Sequence, residues 1–356
     1  MNPDNIDETE RTELLCIGNA MVDVFAQADS AWLDDLGITE SVQHISWEKA
    51  VQVLDHLRKN HANDLVLASG GAVANVAKIA SMLNTRAAFS GCVGGDDLAA
   101  IFRKELGEAD VVSFLTSGDG GTGVCFALDT GNGTRIAASP GAALEFSEAD
   151  VREDLVAGAD AVVLDGYMLD RRPLVQRILQ LANRHGIPIA LDAASVFQIK
   201  EKTEAILQYS RNYPLIVFMN ADESIVFYNT IRKSGSSGES MSEREKETFI
   251  LREICPVLKC MTEGDIFPVI VIKLGGRGAI VLAGGNIHSV GTFTIIPRNT
   301  VGAGDAFCAA FLSAWIRGRS IRECASLGNK VAREVLMVPG TSIKKEKLAS
   351  FSRFLR

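Results

Sequence analysis

Apolar runs of about five to seven residues recur along the chain, and between them lie longer stretches in which apolar residues return at helical spacing. AAFSGCV (87–93) precedes DDLAAIFRKEL, AVVLDGY (161–167) precedes PLVQRILQLANRH, IPIALDA (187–193) precedes a helical segment near 197–209, and PLIVFMN (214–220) precedes ADESIVFY. Near the start, LLCIGNAMVDVFAQ (14–27) reads as a buried strand, a polar turn and a second extended piece, with helical spacing at about 46–60. Gly70 and Gly71 then open the helix AVANVAKIASML. Short buried runs alternating with helices predict a three-layer α/β/α domain built on a mainly parallel sheet.

Two stretches break this rhythm. From about 111 to 139 come two extended pieces, VVSFLT and TGVCFALD, then a GNG turn and TRIAAS, with no helix between them. This predicts antiparallel β-structure, a small sheet or lid formed from about 24–45 and 111–139. The second break, 229–265, contains KSGSSGESMSEREKE and reads as a surface insertion (229–245) running into a helix.

Composition narrows the function. The chain has 356 residues, 47% of them hydrophobic, enough for a large core in one big domain or two moderate ones. A net charge of −8 argues against a nucleic-acid surface, which needs clustered Lys and Arg. Residues 1–13 read as a polar tail without the features of a secretory signal, and FPVIVI (267–272) is too short to span a bilayer, so the expected location is the cytoplasm. Seven cysteines without CxxC spacing predict reduced, mostly buried thiols. The five histidines show no ligand spacing, and neither G-x-x-x-x-G-K-[ST] nor H-E-x-x-H occurs. GDGGTG (118–123) satisfies G-x-G-x-x-G, but the extended run VCFALD follows where dinucleotide binding needs a helix.

The sharpest chemical signal is NTVGAGD (299–305), followed by the apolar helix AFCAAFLSAWIRG. Glycines 302 and 304 let backbone approach a ligand closely, and the free N–H groups of Ala303, Gly304 and Asp305 converge at a positive helix end. A carboxylate beside such an anion site can take a proton from an attacking hydroxyl while the backbone holds a phosphoryl group. Taken alone, the segment would read as punctuation and capping of a helix.

The segment does not stand alone. NTVGAGDAF resembles the C-terminal signature of the ribokinase-like (PfkB) carbohydrate kinases, usually DTTGAGD. GNAMVD (18–23), GGAVANVA (70–77), GCVGGDD (91–97), NADE (220–223) and IKLGGRGA (272–279) resemble that family's other motifs, in order, and the resemblance covers about 14–341. It implies an ATP- and Mg²⁺-dependent kinase acting on a sugar or nucleoside, with Asp305 as base and the backbone of Gly302, Ala303 and Gly304 as anion hole. Asn19, Asp23, Gly70, Gly71 and Asn75 would form the substrate pocket, the glycine pair also serving as hinge of the lid. Asn220, Lys273, Gly275, Gly278, Asn299 and Asn329 would meet the nucleotide, and Glu223 would act on Mg²⁺ through water. Asn220 and Glu223 also read as a capping box, and the two roles are compatible.

Departures and open alternatives remain. Asn299 stands where Asp is usual, which questions a metal role there. Lys273 stands where Thr is commoner: it reaches a nucleotide phosphate or extends to solvent. Arg135 either closes over the transferring phosphate or is a solvated strand residue. The long stretch 24–69 resembles the layout of the adenosine kinase branch, in which Tyr167 and Met168 would line a base pocket; ordinary strand-end packing is the other reading. Adenosine or a ribose-like sugar is therefore the expected acceptor, with hexose or keto-sugar-acid kinases as the alternative and a non-catalytic sugar or nucleotide sensor behind them. Exposed sheet edges in the lid also suit a homodimer.

Overall fold

A computed structural model describes residues 11–61, 64–233, 241–263, 266–298, 301–338, 343 and 345–355. The chain opens with β1 (Leu14–Ile17), β2 (Met21–Gln27), α1 (Ser30–Asp35), β3 (Val42–His44), α2 (Trp47–Asn60), β4 (Val66–Gly70) and α3 (Ala72–Met82). Next come β5 (Ala87–Val93), α4 (Asp97–Glu108), β6 (Val112–Ser117), β7 (Thr122–Asp129), β8 (Thr134–Gly141), α5 (Glu153–Ala157) and β9 (Ala161–Asp165). Then follow α6 (Arg172–His185), β10 (Ile189–Asp192), α7 (Val196–Ser210), β11 (Leu215–Asn220), α8 (Ala221–Arg232), α9 (Glu243–Phe249) and α10 (Cys255–Glu263). The described part ends with β12 (Val269–Lys273), β13 (Ala279–Ala283), β14 (Asn286–Val290), α11 (Ala303–Trp315), α12 (Ile321–Leu336) and α13 (Lys345–Leu348).

Nine strands form the main sheet in the order β14-β13-β12-β11-β10-β9-β1-β5-β6. All its pairs are parallel except β12–β13 and β13–β14. Alternation along β1 shows why the domain has three layers. Leu14 and Cys16 join a core with α3, α4, α11 and α12, whereas Leu15 and Ile17 join a second core with α6, α7, α8 and α10. Both faces are buried over the central strands, which are therefore apolar throughout, while the edge strands β6 and β14 are partly exposed and mixed in composition.

A second sheet has the order β3-β8-β7-β2-β4. Its apolar side, including Val22, Val24, Val124, Phe126 and Leu128, is continuous with the core under α3 and α4. The sequence predicts a lid from about 24–45 and 111–139. The structure corrects that: β6 pairs in parallel with β5 in the main sheet, and β4 joins the small one. The reason is the helix before β6. The β5–α4–β6 unit is a crossover that returns its strand parallel and adjacent, whatever follows it.

Residues 229–232 are the end of α8, closed by Lys233 in left-handed conformation, and 241–245 lie at the surface where α9 begins; the part of the expected insertion at 234–240 lies outside the described residues. Beyond it, Ile250, Ile254, Cys255 and Leu258 are core residues. Among the described residues no helix is long and apolar enough to cross a membrane.

Candidate active site

In the main sheet β1 is the switch point: β5 and β6 extend to one side, β9 and β10 to the other. Open parallel sheets bind ligands at the carboxyl ends of strands beside such a point. The chain leaving β1 there carries Gly18 and Asn19, then turns into β2 of the small sheet, where Asp23 sits.

The glycine pair is required by close approach. A Cβ on Gly70 would lie 2.2 Å from the Asp23 carboxyl group, and one on Gly71 would lie 2.5 Å from the Asn19 carbonyl oxygen. Gly71 also has φ 90°, outside the usual range of other residues. It starts α3, whose first turn carries Asn75. Asn75 Nδ2 donates to Asp305 Oδ2 at 3.0 Å, linking α3 to α11, while its Oδ1 is buried without a protein partner.

Gly302, in left-handed conformation at φ 79°, begins α11 and places Asp305 in its first turn. Burial raises the Asp305 carboxyl to about 6, against the pull of the Asn75 hydrogen bond. Asp23 is raised to about 7, again chiefly by burial, which Lys78 opposes and Asp305 and Glu105 reinforce. Lys78 lies below them, buried: its ammonium donates to Ser69 O (2.5 Å) and Oγ (2.8 Å). Ser69 N and Oγ in turn donate to Glu105 Oε2 at 2.7 and 2.9 Å. Burial lowers the Lys78 pKa, although Glu105, Asp23 and Asp305 favour its charge.

A second constellation lies at the ends of β10, β11 and β12. Lys273 Nζ donates to Asp192 Oδ2 at 2.6 Å, and the Cys308 thiol points to the same oxygen at 3.4 Å. Burial disfavours the Lys273 charge, yet Asp192 and the neighbouring acidic groups carry its pKa above the ordinary lysine value. A Cβ on Gly304 would lie 3.3 Å from Lys273 Nζ, so the ammonium stands beside the first turn of α11 and not in open solvent. Asn220 and Glu223 form the capping box of α8: Asn220 N and Nδ2 donate to Glu223 at 2.7 and 2.8 Å, and Glu223 N donates back to Asn220 Oδ1. Burial, then Asp192, raises Glu223 to about 7, with Lys273 opposing.

Lys273, Gly275, Gly278, Ala303, Gly304 and Asn329 line one cavity of about 120 Å³, roofed by Phe293. Asn329 Nδ2 donates to Val290 O at 3.0 Å, fixing the chain after β14.

The structure thus gathers Asn19, Asp23, Gly70, Gly71, Asn75 and Gly302–Asp305 at one end of the sheet, with Asn220, Glu223, Lys273, Gly275, Gly278 and Asn329 adjoining them. Asn299 lies outside the described residues. Tyr167 is 38% exposed, but Met168 is fully buried behind it, which favours ordinary packing for the methionine. Arg135 is held by Asp34 and Ile38 O at 2.6 and 2.7 Å within the small sheet's own edge structure. Sequence reasoning missed Lys78, Glu105, Asp192, Asp165 and Arg171. For the two aspartates there was a signal: each ends a parallel strand at its carboxyl edge, where ligand sites form.

A buried carboxylate in the first turn of α11, flanked by a cavity with an ammonium on its wall, is chemically suited to phosphoryl transfer. The pfkB family carbohydrate kinase profile matches residues 11–348, and the chain belongs to that family. It is a carbohydrate or nucleoside kinase, and membership implies ATP as its phosphoryl donor. Among similar proteins, adenosine kinase of Schizophyllum commune is 25% identical, with 94% of this chain and 98% of that protein aligned. Guanosine-inosine kinase of Escherichia coli strain K12 is 24% identical, over 62% of this chain and 54% of that protein. The solved adenosine kinase of Sinorhizobium meliloti superposes with a TM-score of 0.79 at 25% identity, covering 97% of this chain and all of the other.

Proposed function

We infer that this kinase transfers the γ-phosphoryl group of ATP to the hydroxymethyl group of a ribonucleoside, adenosine or a ribose-like compound being favoured. The observation that carries this reading is the Asp305 carboxylate, held by Asn75 at the head of α11 within reach of the field of Asp23. Asp305 takes the proton of the attacking hydroxyl, and the backbone N–H groups of Ala303 and Gly304 receive the phosphoryl oxygens. Asp23 and Asn19 bind acceptor hydroxyls, and Lys273, whose ammonium lies beside Gly304, meets the phosphates next to that backbone.

Mg²⁺ fits the acidic site at the strand ends. Glu223 is buried, near Asp192, and protonates unusually easily, which a hydrated cation would relieve. Bound there, the ion would neutralise phosphate charge, with Glu223 holding its waters while Asn220 keeps the carboxylate in place. The small sheet acts as a lid hinged at Gly70–Gly71. Its outer strands β3 and β4 expose Val42 and Val66, which supports pairing with a second copy, a point for sedimentation analysis.

Support for a base pocket comes from the partly exposed Tyr167 and from Phe197, 66% exposed in the first turn of α7. The nucleoside kinases among the relatives point the same way. One observation favours a keto-sugar-acid instead: the Arg171 guanidinium behind Asn19 is a cation at the pocket's edge. Both its terminal nitrogens are already engaged, so the nucleoside reading is preferred. The test is turnover on adenosine, guanosine, inosine, ribose, fructose and 2-keto-3-deoxygluconate. A ribonucleoside is expected to give the highest kcat/KM; a hexose or keto-acid winner overturns the assignment.

A further inference from the structure

Arg171 and Arg172 are neighbours at the start of α6, and they part company. Arg172 is exposed, whereas Arg171 turns inward. Burying a guanidinium is costly unless its donors are used. Arg171 Nη1 donates to Ala143 O at 2.6 Å, just after β8, and Nη2 donates to Asn19 Oδ1 at 2.6 Å; Met168 Sδ also touches it. Asp165, fully buried at the end of β9, supplies the compensating negative charge, and burial raises its own pKa to about 7.

A guanidinium has donors and no acceptor, so the amide atom of Asn19 facing it must be the oxygen. The amide nitrogen is then directed away from Arg171. Asn19 is only partly buried, and its Nδ2 has no protein partner among the described residues. We propose that Arg171 is a positioning residue that sets the polarity of acceptor recognition: it locks Asn19 so that the cleft meets a donor. The substrate atom opposite Asn19 is therefore a hydrogen-bond acceptor, such as a ring nitrogen, an ether oxygen or a hydroxyl oxygen, and an N–H in its place is rejected. This rests on the reading of the cleft as the acceptor site of a nucleoside or sugar kinase.

The experiment is a double-mutant cycle of Asn19→Ala and Arg171→Met, read as KM for the best acceptor, KM for ATP, kcat and Tm. If Arg171 acts through Asn19, each single change raises acceptor KM by up to about tenfold, the size of one lost neutral hydrogen bond to substrate. KM for ATP stays within about twofold, and the double mutant is no worse than the worse single. Arg171→Lys, which can still donate to Asn19 Oδ1, recovers part of the loss. Additive effects in the double mutant, or equal losses in acceptor and ATP KM, overturn the proposal and leave Arg171 a structural tie. Should Arg171→Met fail to fold because Asp165 is left unpaired, Arg171→Met with Asp165→Asn removes both charges and serves in the same cycle. A wild type that phosphorylates no nucleoside or sugar is a different result: it removes the functional reading itself and the proposal with it.

Discussion

The two halves of the cleft are built differently. On the acceptor side, charged and polar groups are buried and tied to one another: Asp23 against Gly70, Lys78 to Ser69, Ser69 to Glu105, and Arg171 to Asn19 and Ala143. On the proposed nucleotide side the tied groups are fewer, the Lys273–Asp192 pair and the Asn220–Glu223 box; the rest of the floor is glycine backbone, and the apolar cover is loose. Phe293 is 77% exposed and Ile296 is 91% exposed, on a stretch (291–298) with no regular structure. The difference teaches where selectivity resides. A wired pocket penalises any acceptor that mismatches its buried polar groups, whereas a floor made largely of backbone, with charge supplied by one lysine pair, accepts a nucleotide through the phosphates all nucleotides share.

The largest expected effect lies where the halves meet. Asp305→Asn retains shape and helix position but cannot take the hydroxyl proton, so kcat should fall by about 10²–10⁴-fold. ATP should still raise Tm, since the anion hole is backbone. A mutant that keeps more than about a tenth of wild-type kcat, with chemistry rate-limiting, would exclude Asp305 as base.

Asp23→Ala probes the wired half alone. Acceptor KM should rise about tenfold or more, with ATP KM little changed; equal changes in both would erase the distinction between the halves. The same residue gives a pH signature. Both Asp23 and Asp305 must be ionised, so kcat/KM should decline as pH falls below about 7 and again through about 6. A rate profile flat from pH 8 to 5 would contradict the buried carboxylates.

On the nucleotide side, Glu223→Gln keeps the α8 capping box while removing charge. The Mg²⁺ concentration for half-maximal activity should rise several-fold with Tm unchanged, and an identical titration would end the metal role. Smallest of all, Phe293→Ala should raise ATP KM by about two- to threefold and leave acceptor KM untouched, because an exposed ring contributes little. A larger effect would mean this side is as specified as the other.

Much of this architecture was legible in the sequence. The strand–helix rhythm marks the main sheet, and the glycine-containing motifs mark the chain's approaches to ligand, because backbone contact leaves a residue signature. Side-chain wiring leaves none. Lys78 stands one residue past an apolar helix stripe and reads as a surface lysine until α4 and β4 close over it. Arg171 is one of two adjacent arginines, and nothing local says which turns inward. β6 misled for a related reason: its partner is chosen by the crossover before it, a property of three elements and not of its own residues.

Gly121 lies directly under the indole of Trp47, the first residue of α2: a Cβ there would come within 1.7 Å of the ring. The glycine belongs to the turn between β6 of the main sheet and β7 of the small one, whose amides at Asp119 and Gly120 are gripped by Glu145. Any withdrawal of α2 from that turn must strip the indole of its floor and admit water to one face. Indole emission shifts to longer wavelength when that happens. With Trp32 and Trp315 changed to Phe, the molecule therefore carries an optical gauge of how firmly α2 sits on that turn, readable in stopped flow as acceptor is mixed in, without attaching a dye.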